Sequence, residues 1–136
     1  MIKNAKTAAG RHTSIGRAFL ERYEGRFGRK PGRALAGIAY DQVHLAASAW
    51  AHAGNPRAFD RVADELRSLV HRGVSGVYAL GNARQTGLSY PDETADPSIG
   101  LAALIFQIQD GDSCIISPAP YEETDFRLPA WFRSNG

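Results

Sequence analysis

Apolar positions divide the chain into three helical stretches followed by a strand-rich half. Ile15, Phe19, Tyr23 and Phe27 recur at four-residue spacing. They draw one apolar stripe on a helix from Ile15 to about Phe27, with Ser14 placed to cap it. Arg17, Glu21, Arg22, Glu24 and Arg26 fall largely outside that stripe, and Gly28-Arg29-Lys30-Pro31-Gly32 breaks the helix. A second helix is predicted from about Arg33 to Ala53. It is rich in alanine, which favours helix, and apolar on most of its circumference, which predicts a largely buried element. Gly54 stops it. Asn55-Pro56 reads as the start of a third helix, asparagine at the N-cap and proline at the first helical position. Phe59, Val62, Ala63, Leu66, Leu69 and Val70 make its expected buried face, and Gly73 its end.

Beyond Gly73 the period changes. Val77 to Leu80 is a short strand candidate. Gly81 to Gly100 is long and polar, with Pro91, Pro97 and the acidic cluster Asp92, Glu93, Asp96. So long a loop in a compact domain either has a task or rests on something outside it. Two apolar runs then flank Asp110-Gly111, a strong short-range hairpin signal. Ile105, Gln107 and Gln109 alternate there with Leu104, Phe106 and Ile108. From Ala119 to Gly136 prolines are too frequent for a helix, and the aromatics Tyr121, Phe126, Trp131 and Phe132 predict an extended segment lying across a surface. The expected fold class is α/β, three helices and then a strand-rich half with a β-hairpin. The expected organisation is a flexible leader, 1–14, and one α/β domain, 15–136.

Composition adds exclusions. The 136 residues, 43% hydrophobic and 22% charged, are those of one ordinary globular domain. No apolar run approaches the ~18–20 residues of a transmembrane helix. Lys3, Lys6 and Arg11 begin the chain, but no apolar stretch follows them, so no signal peptide is read and the chain as written is expected to stay in the cytoplasm. A net charge of +2 from 16 basic and 14 acidic residues, interleaved along the chain, gives no basic stripe for nucleic acid. The single cysteine, Cys114, excludes an internal disulfide framework and sits in an apolar strand run, as a buried inert thiol would.

Candidate chemistry is sparse. The histidines His12, His44, His52 and His71 form no HExxH and do not pair with Cys114 at zinc spacing, so no metal is expected. Gly73, Gly76 and Gly81 are too widely spaced for a phosphate loop, and no cofactor is expected. Asp41 and His44, three apart on the second helix, could touch and form an acid–base pair. Nothing supplies a nucleophile or oxyanion donors beside them, so the expectation is that the protein is not an enzyme.

One resemblance reaches further. The segment Phe19, Tyr23, Phe27, Gly28, Pro31, then Ala39-Tyr40-Asp41 and Ala53-Gly54, resembles the late portion of type I periplasmic binding proteins. So does its continuation: a third helix, a Gly-x-x-Gly turn at Gly73 and Gly76, a variable loop and the FQIQDG hairpin. That family includes receptors for branched-chain amino acids and for amides and urea, and the ending SPAPYEETDFRLPAWF resembles the amide and urea branch. The resemblance covers about Ile15 to Phe132 and implies a partial Rossmann-like lobe, the C-terminal third of a protein that clamps its ligand between two lobes. It implies that Tyr40 and Asp41, near the start of the second helix, face the cleft as ligand or hinge contacts. It implies no catalytic residue.

The leading functional expectation is therefore a non-catalytic solute-binding component, or a fragment of one, of an ABC-type transporter for amino acids, amides or urea. Its partners would be that small molecule in the full-length parent and a transporter permease, and its compartment the periplasm. Two alternatives are a cytoplasmic amide-type sensor acting on a regulatory protein and a stand-alone interaction module docking a protein through the apolar second helix and aromatic tail. A chain that lacks the rest of such a lobe would expose strand edges and apolar patches, so self-association is expected, through strand pairing or swapping.

Overall fold

The computed structural model describes residues 13–32 and 35–132. Twelve residues of the expected leader, 1–12, lie outside that set, as does the expected start of the second helix at Arg33. Three helices lead: α1 (Ser14–Phe27), α2 (Leu35–Ala53) and α3 (Phe59–Ser68). Six short strands follow: β1 (Val70–Arg72), β2 (Val77–Ala79), β3 (Ser89–Tyr90), β4 (Leu101–Ala102), β5 (Ile105–Gln109) and β6 (Asp112–Ser117), with a 3-10 turn at Ala130–Phe132. This is the mixed α/β architecture that the sequence predicts, with its three helices and its hairpin.

Local chemistry explains most boundaries. Thr13, not Ser14, caps α1: its hydroxyl accepts from the Gly16 N–H at 3.0 Å, and Ser14 is already helical. Gly28 closes the helix with φ +63, a left-handed conformation glycine adopts without strain, its N–H donating to the Glu24 carbonyl at 2.8 Å. The expected cap of α3 is displaced. The Asn55 side chain accepts from the Arg57 N–H at 2.9 Å, and the Ala58 N–H donates to the Asn55 carbonyl. Asn55-Pro56 thus builds a separate turn, and α3 starts at Phe59 with no side-chain cap. Helix α3 ends at Ser68, not near Gly73, because Val70–Arg72 leaves it to pair with β2.

The helical core is small: Ala49 and Ala53 of α2 meet Val62 of α3, with Leu66 and Leu69 packed against them. Helix α2 buries one stripe, Gly37, Asp41, Leu45, Ala49 and Ala53. The expectation of a largely buried helix fails here, for Leu35 is 79% exposed, Val43 68% and Trp50 49%. Phe59 and Val70, assigned to the buried face of α3, are exposed as well.

The strands form three two-stranded sheets. β1 and β2 are antiparallel, with His71 opposite Tyr78, and the turn between them closes through Gly73 N–H to Gly76 carbonyl at 2.8 Å. β3 and β4 are parallel and tie the middle of the long polar segment, at Ser89 and Tyr90, to the residues just past its end, Leu101 and Ala102. The acidic cluster in that segment is spent on its own backbone: Glu93 accepts from the Ser89 N–H and pairs with Arg84, while Asp96 accepts from the Ser98 N–H. β5 and β6 make the expected hairpin, Asp110 and Gly111 both at positive φ (+53 and +83), as the tight two-residue turn requires. Its polarity is inverted. Gln109 is buried, whereas Ile105 and Ile108 are exposed. The tail explains this, because it runs extended along the glutamine face: Gln109 donates to the Asp125 carbonyl, and Gln107 exchanges bonds with the Arg127 backbone. Glu123 closes the outer edge of β6 at Ile115.

Candidate functional site

Two adjacent residues of α2 point to different neighbours, since successive helical side chains differ by about 100°. Tyr40 turns toward α1. Its ring lies 5.0 Å from that of Phe19 and 4.3 Å from His44. Phe19, Tyr23 and Phe27 continue the series along α1 at 5.8 and 4.6 Å. Together with Arg22 and Arg26 these aromatics line a shallow groove of about 180 Å³. Tyr40 is half-buried in its wall.

Asp41 turns the other way and is 1% exposed. Its two carboxylate oxygens accept from the Val74 N–H at 2.6 Å and the Ser75 N–H at 2.7 Å, and the Tyr78 hydroxyl donates to it at 3.3 Å. A buried charge is tolerable only with partners of this kind. Gly73 makes the approach possible, because a Cβ there would overlap the Asp41 carboxylate. Burial, and then the Asp41 charge, push the Tyr78 phenol up to about 12, so it remains a donor at neutral pH. The β1–β2 turn is thus held from inside α2.

That turn has a second face. Gly73 and Gly76 line a groove of about 360 Å³, walled by Thr13, Arg72, Ser98 and Tyr121 among others. Arg72 donates to the Ser98 carbonyl at 2.9 Å. Burial raises the Tyr121 hydroxyl, which donates to the Pro97 carbonyl at 3.4 Å. Asp41 therefore acts on this groove through the turn that it positions, without lining it.

The two residues singled out in the sequence, Tyr40 and Asp41, have different neighbours, one at an aromatic groove and one behind a glycine turn. Asp41 and His44 have different partners: the carboxylate holds the turn and the imidazole stacks on Tyr40. Val74, Ser75, Tyr78 and Arg72 were not picked out from sequence. A signal existed in Gly73-Val74-Ser75-Gly76, a tight glycine-bounded turn whose inward N–H groups need an acceptor. Cys114 is half-buried in β6. Among the described residues no group of three or more His, Cys, Asp or Glu is placed to hold a metal, and no helix is long and apolar enough to cross a membrane.

No protein-family model matches the chain, and no curated protein matches it. A solved structure does. It is a protein from Silicibacter pomeroyi provisionally described as a branched-chain amino acid ABC transporter, with 34% identity and a TM-score of 0.72 over 88% of this chain. The fold is similar to that of a periplasmic-binding-protein lobe. The match spans 32% of the neighbour's length, so it places this chain beside one part of such a protein.

Proposed function

We propose that this chain is part of a solute-binding protein serving an ABC-type transporter, and that it holds its ligand without transforming it. The observation that carries the reading is the agreement in sequence and fold with the Silicibacter pomeroyi protein across most of this chain. The ligand class is a branched-chain amino acid, amide or urea, the partner a transporter permease, and the compartment the periplasm. In this reading Tyr40 offers its ring at the groove between α1 and α2. Asp41 contributes as a positioning residue, because its carboxylate is already taken by the turn.

The test is thermal stability of the chain against urea, short amides and branched-chain amino acids. A ligand at ~100 times its dissociation constant stabilises a fold that alone binds it by about 2.7 kcal/mol. The expected result is a shift with one member of this panel that Tyr40→Ala abolishes when each protein is read against its own unliganded midpoint, which the variant lowers by losing the ring contacts with Phe19 and His44. A panel without any shift would overturn ligand binding by this chain. The exposed apolar face of α2 favours a second reading, an interaction module, which predicts no shift with any member of the panel.

A further inference from the structure

We infer that the groove between α1 and α2 recognises a carboxylate, and that Arg22 and Arg26 select it. The ligand class is a small monocarboxylic acid with an apolar body. The inference rests on the reading of this groove as the ligand's and narrows it: among amino acid, amide and urea, the acid group is what is bound.

The rings supply only part of the chemistry. Phe19, Tyr23 and Phe27 of α1 and Tyr40 of α2 are linked at centroid distances of 4.6, 5.0 and 5.8 Å. A wall of rings accepts an apolar body but does not choose the polar end attached to it. The other described residues of the lining are Arg22 and Arg26. They stand four apart on one helix, so their side chains are neighbours, about 5–6 Å between Cβ atoms, and like charges at that spacing destabilise a helix. No acid offsets them. Among the described residues neither guanidinium is in an ion pair, and no Asp or Glu lines the groove. Arg22 is partly fixed, since its Nε donates to the Ala18 carbonyl at 3.1 Å, which leaves its terminal nitrogens as donors. The Arg26 guanidinium lies 6.0 Å from the centre of the Phe27 ring. Two cations without a counter-charge thus share a groove with the rings. A carboxylate bound there offsets their repulsion and accepts from both.

The same balance disfavours other polar ends. Urea and a primary amide are neutral and leave both cations uncompensated. An ammonium finds no acid among the described lining residues and meets two like charges. In a zwitterionic amino acid the carboxylate is attracted and the ammonium opposed. The deaminated acid therefore binds more tightly than the amino acid itself, and a groove of about 180 Å³ restricts it to a small body.

The experiment is isothermal titration calorimetry of the full chain with 4-methylpentanoate, leucine, leucinamide and urea. The first three share one apolar side chain and differ in their charged ends. The expected result is tightest binding of 4-methylpentanoate, weaker binding of leucine and none of leucinamide or urea, with acid binding weakened by added salt. Arg22→Gln/Arg26→Gln should weaken 4-methylpentanoate by about tenfold or more. Arg57→Gln/Arg61→Gln, which removes two exposed charges from residues outside the groove lining, should leave it unchanged. Should the first double variant lose its helical spectrum, Arg26→Gln alone decides by the same weakening. Leucinamide or urea binding as tightly as 4-methylpentanoate, and abolished by Tyr40→Ala, overturns the inference while the groove remains a ligand site. Acid binding that survives loss of both groove arginines, or falls equally in the Arg57/Arg61 variant, overturns it as well. No binding of any of the four overturns both the inference and the reading on which it rests.

Discussion

The Asp41 carboxylate does more than its position on an apolar helix suggests. It satisfies two backbone N–H groups that would otherwise be buried without acceptors, and it fills the space left by the missing side chain of Gly73. Asp41→Asn keeps the shape but replaces one acceptor oxygen with an amide NH2 donor facing a backbone N–H. Hydrogen bonds to charged groups contribute roughly 1.5–3 kcal/mol each, and a stranded buried donor costs a similar amount. Asp41→Asn is therefore expected to lower unfolding stability by about 2–3 kcal/mol in urea titrations, while Tyr78→Phe, losing a longer bond at 3.3 Å, costs about 1 kcal/mol. Tyr78 also carries a pH signature. Its folded pKa, about 12, lies above the ordinary value of 10.0, so above pH 10 the folded chain holds a proton that the unfolded chain has released. The associated stability is fully present below pH 10 and is lost as pH rises through 12. Urea midpoints measured from pH 9 to 12 should fall more steeply for the wild-type chain than for Tyr78→Phe. In sequence, Asp41 was legible as a residue of interest but its role was not, because the donors lie 33 and 34 positions away, beyond any local pattern.

At the scale of elements, the readings that succeeded rest on chemistry confined to a few residues. Asp110-Gly111 demands positive φ at both positions, and the hairpin follows. The stripe of α1 and the stop at Gly54 are equally local. The misreadings share one cause, competition by a nearby alternative. Asn55 was a good cap in isolation but closes its own turn, and Val70 fitted a helix face but serves a strand that pairs with β2. The hairpin shows the same lesson in its polarity, since a tail fifteen or more residues away reverses which face is covered. Gln109 is the anchor of that arrangement. Gln109→Ala should free the segment around Asp125 to Arg127, seen as faster amide exchange at Arg127, whose N–H now donates to Gln107, with the β5–β6 amides still protected.

Over the whole molecule, the core is discontinuous. The three small sheets of the described residues form no continuous ladder, two of them touching through the single bridge of Gly76 to Leu101, and the helical cluster rests on two alanines and a valine with leucine support. Helix α1 buries only Gly16 and Phe19. Stability should accordingly be uneven. Native-state amide exchange is expected to show α1 opening at a free energy well below that of α2, α3 and the β1–β2 turn; equal protection in all three helices would contradict this. Sequence could not reveal the discontinuity. An apolar helix reads as buried, but which of its sides meets this chain and which is left open depends on the elements available to cover it, and composition does not count those.

The bond between Asp41 and the β1–β2 turn has an evolutionary consequence. A side chain at position 73 and a carboxylate at position 41 cannot share the same space. Neither position can drift alone: any residue larger than glycine at 73 first requires a shorter one at 41, which would in turn strand the Val74 and Ser75 amides. In related chains these two positions should therefore be inherited as a pair, and a lineage that departs from one should be found to have rebuilt the turn.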